Sequence, residues 1–133
     1  MASTTQKCKI KVFDDEYMIP FPDVSEHMEI ESMKMALTNN RYAAMAASAS
    51  IKSVTLNLDM VDAISTFSIL SEDLKKRWLS GVTLKNIDMK LGSVLAHQYS
   101  EVYSPWYDGI MSEINKELEK LGYTTNDKPA TAE

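Results

Sequence analysis

The sequence predicts a mainly α protein of the α+β kind: an N-terminal β-hairpin followed by a bundle of about five or six helices. Three observations carry this. Residues 7 to 13 alternate, with Cys8, Ile10 and Val12 on one side and Lys7, Lys9 and Lys11 on the other, which is the period of a half-buried strand. From Asp23 onward, apolar residues recur three and four positions apart, the period of a helix with one buried face. The 133 residues include only four glycines and four prolines, too few for a many-turned β fold.

The elements follow in order. Residues 1 to 6 are small and polar and read as a flexible N-terminus. Strands are expected at 7–13 and 17–21, joined by a polar turn at Asp14-Asp15-Glu16, with Ile10, Val12 and Ile19 on the buried side. Pro20 and Pro22 end ladder donation. An isolated hairpin is marginal in water, so it needs apolar support from its own helices or a partner. Asp23 or Ser25 is a candidate cap, with Glu26 in the first turn of a helix striped by Ile30, Met33 and Leu37. "RYAAMAASAS" favours a short helix by propensity. Residues 51–57 are open between loop and extended connector. Leu58, Val61, Ile64, Phe67 and Leu70 form the next stripe, and Ser71 stops that helix and caps another. Thr83 is a candidate cap for a helix running from Leu84 to Tyr103, with Gly92 inside it as a place for close approach. Ser104-Pro105 is expected to start a separate helix, striped by Tyr107, Ile110, Ile114, Leu118 and Leu121. The two helices are expected to pack against each other or across a partner, and the short connection favours an antiparallel pair. Gly122 is the expected stop, and 123–133 reads as a disordered tail. The division is therefore a tail at each end and one domain over 7–122.

Composition narrows the function. A formal net charge of −5 argues against broad nucleic-acid binding, which needs clustered Lys and Arg. No apolar run is long enough for a spanning helix, and MASTTQKCK lacks the apolar core of a secretory signal. The single cysteine, Cys8, has no internal disulfide partner and fits a reducing, cytoplasmic setting. Strand alternation turns it toward the apolar face, away from Lys7 and Lys9, as an inert thiol rather than a nucleophile. His27 and His97 do not share a helix at metal-ligand spacing, and they read as solvated residues. No phosphate loop or nucleophile elbow is present. Neither a catalytic set nor a cofactor site is expected.

Binding surface is the better-supported theme. The chain holds nine methionines, whose flexible thioethers suit adaptable contacts as well as cores. "YSPWYDG", residues 103–109, is the densest aromatic patch; such rings anchor interfaces, and equally fill cores. The candidate partner-binding residues are Met28, Met35, Met45, Trp106 and Tyr107.

The stretches "IKVFDDEYMIPFP", "EIESMKMALTNNRYAAM" and "LDMVDAISTFSILSEDLKKRWL" give residues 9–79 a layout that resembles the tail assembly chaperones of long-tailed bacteriophages. The resemblance implies a helical, non-enzymatic late protein that binds the tape measure protein or other tail components, forms homo-oligomers, and keeps its client soluble during virion assembly. It implies no nucleic-acid or membrane partner and no cofactor. The expected location is the host cytoplasm or the virion. The alternative is a minor structural virion protein of connector or baseplate type, or another small helical protein-interaction domain.

Overall fold

The computed structural model describes residues 6–48, 50 and 52–123. The expectations for residues 1–5 and for the tail at 124–133 lie outside the described residues. The architecture is mainly α with an N-terminal hairpin: β1 (Lys7–Val12), β2 (Asp15–Pro20), α1 (Val24–Leu37), α2 (Tyr42–Ala47), α3 (Lys52–Leu70), α4 (Glu72–Leu74), α5 (Met89–Gln98) and α6 (Ser104–Lys120). Two π turns extend helices, Lys75–Leu79 after α4 and Tyr99–Tyr103 between α5 and α6.

The hairpin is antiparallel, with Cys8 opposite Ile19, Ile10 opposite Tyr17 and Val12 opposite Asp15. Its turn is Phe13-Asp14, one residue earlier than the expected acidic turn, so Asp15 and Glu16 belong to β2. The reason is parity. A two-residue turn keeps Ile10, Val12 and Ile19 on one face, and all three are at most 1% exposed. The turn places Phe13 at φ 55, a conformation few bulky residues adopt. Partners on the first π turn, Lys75–Leu79, secure the connection. The Phe13 ring lies 5.3 Å from Trp78, Trp78 Nε1–H donates to Tyr17 Oη at 2.9 Å, and Asp15 pairs with Arg77. Support therefore comes from the chain's own helices. The outer edge of β1 is not open, because its Lys11 N–H donates to Gln98 Oε1 at 2.8 Å.

α3 is the centre of the helical layer, packed against α1, α2 and α5. Its stripe behaves as the spacing predicts: Val61, Ile64 and Phe67 are buried with Leu58 and Leu70. The helix begins at Lys52, which resolves residues 52–57 as helix rather than connector. Asp23, not Ser25, caps α1 through a reciprocal box with Glu26, two orphan donors satisfied at once. Ser71 caps α4, accepting from Leu74 N–H at 3.2 Å.

Two expectations fail on the C-terminal side. Thr83 does not start a helix. Thr83 N–H donates to Asn86 Oδ1 at 2.8 Å and Lys85 N–H to Thr83 Oγ1 at 3.3 Å. These local side-chain bonds compete with helical ones. α5 starts instead at Met89, where the Asp88 carboxylate accepts from Lys90 and Leu91 N–H. Nor does Ser104-Pro105 break the chain. Ser104 N–H donates five residues back to Tyr99 O, and the wide π turn gives the proline ring room that an α turn would deny. Helical backbone thus runs from Met89 to Lys120, and the two halves cannot fold back on one another. α5 packs on α3, where Gly92 allows the approach: a Cβ there would lie 3.2 Å from Met60 Sδ. In α6 only Ile110 is buried. Ile114 and Leu118 are half-buried, and Leu121 is 71% exposed.

Candidate functional site

Two places gather chemistry on the helical body. The first is a polar cluster between α1, α2 and α3. Lys34 is buried, and its Nζ lies 2.8 Å from Glu31 Oε2 and 3.5 Å from Asp62 Oδ1. Tyr42 Oη donates to the same Asp62 oxygen, and its ring sits 5.3 Å from the Lys34 ammonium. Beside it runs a ladder of tyrosines. Tyr103 stacks with Tyr99 at 5.9 Å and with Tyr107 at 6.1 Å, and Phe67 meets Tyr99 and Tyr103 edge-on. Burial pushes the phenols of Tyr42, Tyr99 and Tyr103 well above their ordinary range, and the bond to Asp62 adds to this at Tyr42. The cluster has one cation between two carboxylates, so its charges are largely spent within the chain. A cleft of about 190 Å³ between these rings is small and borders His27.

The second place is an apolar groove between the end of α1, α2, the start of α3 and the 83–88 connector. Two adjoining depressions, of about 510 and 240 Å³, share Met45 and Leu84 as lining residues. Leu37 lies in the larger one, while Met60, Ile87 and Met89 lie in the smaller. Local structure sets these positions. The Thr83–Asn86 bonds hold the connector, which presents Leu84 40% exposed. The start of α5 leaves Met89 67% exposed. Three methionines thus line one depression, a lining that adapts in shape at low cost.

The five residues singled out from the sequence fall in three places. Met28 and Met35 lie two turns apart on α1, 65% and 36% exposed. Met45 is half-buried in the groove wall. Trp106 and Tyr107 are half-buried at the edge of the core and engaged with Phe21, which stacks on Tyr107 at 4.9 Å and meets Trp106 at 6.2 Å. Sequence reading counted Met89 among the methionines that could supply contact surface, but missed Leu84, which it assigned to the apolar stripe of a continuous helix. Asn86, a hydrogen-bonding residue three after Thr83, was the available signal for a local turn.

Elsewhere, Cys8 is buried, its thiol pushed upward by burial, with Sγ 3.8 Å from Val102 O. His27 and His97 sit on different helices. Among the described residues, no group of three His, Cys, Asp or Glu is placed to hold a metal ion, and no helix is long and apolar enough to cross a membrane. Comparison with protein-family models, with curated proteins and with solved structures finds no match to this chain.

Proposed function

We propose that this chain is a non-enzymatic phage tail assembly chaperone that binds the tape measure protein and forms homo-oligomers around it. The observation that supports this reading most is the methionine-lined groove around Met45 and Leu84. An amphipathic client helix would lay its apolar face there, a common mode of helix-in-groove recognition. Flexible methionines accept an imperfectly repeating client better than branched side chains do. Met28 and Met35 add exposed apolar surface on α1. The acidic net charge of −5 keeps a client complex soluble.

Co-expression with a tape measure protein tests this. The soluble yield of the client should rise, and the two proteins should co-purify. Met45→Lys with Met89→Lys should abolish co-purification while helix content by circular dichroism stays unchanged. An unchanged complex in that folded double variant removes the groove from the mechanism. Absence of any complex, together with stoichiometric amounts of the chain in finished particles, makes it a structural virion subunit instead.

A further inference from the structure

A third depression, of about 490 Å³, lies between the hairpin turn and α5, on elements that the groove does not use. It is shallow and open to solvent on its outer side. Lys90, Ser93, Val94 and His97 line it from one face of α5, since positions three, four and seven apart share a face. Lys11 and Phe13 close it from the hairpin side.

The lining is rich in donors. Lys11 and Lys90 are exposed, and among the described residues neither forms an ion pair with a carboxylate. Gln98 adds a donor for a definite reason. Its Oε1 accepts the Lys11 N–H at 2.8 Å, which fixes the amide orientation and leaves the Nε2 hydrogens for another acceptor. Ser93 and His97 bring a hydroxyl and an imidazole. Of the acids nearby, Glu16 pairs with Lys9 and Asp88 accepts the first amides of α5, while Asp14 and Glu101 stand exposed outside the lining. No carboxylate lines the depression itself. In a chain of net charge −5, the lining itself carries two lysines and no carboxylate. Phe13 supplies the apolar wall. Its backbone is held at φ 55, its ring is 37% exposed, and the Lys90 ammonium stands 5.7 Å from the ring centroid. The two-residue turn that requires this backbone thus also fixes the ring at the lip of the depression.

We propose that the cleft between the hairpin turn and α5 binds a phosphorylated small molecule with an aromatic body, the chemistry of a nucleoside phosphate. The phosphate oxygens accept from Lys11, Lys90 and the Gln98 amide, and the aromatic body lies against Phe13 and Val94. This site is independent of the protein-binding groove, and either stands without the other.

Titrations of ADP, adenosine and inorganic phosphate into the full-length protein test it, with calorimetry for affinity and amide chemical shifts for location. ADP is expected to bind with a Kd below about 1 mM. Its shifts should centre on Phe13 and the 90–98 face. Adenosine should bind at least about tenfold more weakly, and inorganic phosphate should displace ADP, because charge-assisted bonds dominate such sites. Lys11→Ala with Lys90→Ala should weaken ADP by about tenfold or more, and Lys11→Arg with Lys90→Arg should retain it. Both lysines are exposed, so the variants keep the fold, which circular dichroism checks. Failure of ADP to bind below about 1 mM overturns the proposal. So does equal binding of ADP and adenosine, or undiminished binding by the folded double-alanine variant.

Discussion

Two residues show how burial sets the value of a polar group. Ser65 is fully buried, and among the described residues its Oγ has no hydrogen-bond partner. An unmade bond of this kind costs about 1–3 kcal/mol, so Ser65→Ala is expected to raise the thermal midpoint, measured by calorimetry. Lys34 is the opposite case. Its side chain is 11% exposed and faces Asp62 at 15%. Lys34→Ala leaves Asp62 half-buried beside Asp59, whose carboxyl is already pushed upward by burial and by Asp62, with the Tyr42 hydroxyl still bonded to it. The expected loss is about 1.5–3 kcal/mol, the worth of a hydrogen bond to a charged group. The Arg77–Asp15 pair is far more exposed, and Arg77→Ala should cost only about 0–1 kcal/mol. Denaturant titration of the two variants reads the difference directly. Neither partner of Lys34 across the helices was legible in the sequence, because Asp62 and Tyr42 lie on other elements and long-range polar pairing leaves no periodic signal.

At the scale of elements, strongly periodic segments were the legible ones. The alternation at 7–12 and the stripe from Leu58 to Leu70 each predicted the buried face they show. Caps at Asp23 and Ser71 were readable because a short polar side chain before a run of helix formers has one economical use. What escaped were boundaries set by competition. Thr83 resembles a cap, yet its own bonds with Lys85 and Asn86 spend it locally. Pro105 resembles a break, yet a π turn absorbs it. The methionine-lined groove was legible only in part: Met45 and Met89 were named, but Leu84 became surface only once the connector was seen. The corrected helix also changes an energetic expectation. Leu95 is wholly buried between α5 and α3, and Leu95→Ala should cost about 2–5 kcal/mol. Ile114 is half-buried on α6 without an antiparallel neighbour. Ile114→Ala should cost clearly less, about 1 kcal/mol, in line with partial burial. Equal losses in urea titrations would contradict the continuous helix.

At the scale of the whole molecule, the tyrosine ladder ties hairpin and helices to one pH dependence. Tyr103 touches Phe67 and donates its hydroxyl to Pro20 O at 3.2 Å. Its phenol, with those of Tyr99 and Tyr42, is pushed upward chiefly by burial. A group whose pKa is raised on folding stabilises fully below its unfolded value and loses that contribution as pH rises through the folded value. The unfolded value for tyrosine is about 10. Stability should therefore hold up to about pH 9.5 and fall steeply above pH 10. Unfolding and tyrosinate absorbance should rise together rather than in sequence. Tyr42→Phe removes one such group and should flatten the alkaline slope in urea titrations across that range.

The π turn at Tyr99–Tyr103 has a consequence for how this chain tolerates length change. One residue advances an α-helix by about 100°. A π turn winds five residues through about the angle that four take in an α-helix, so losing one residue from it would restore ordinary winding and leave everything beyond it in phase. Tyr107 would then still meet Phe21, and Ile110 the core. The turn works as a slack link: a single-codon deletion there is absorbed, whereas the same deletion elsewhere between Met89 and Lys120 would swing the distal face by about 100°.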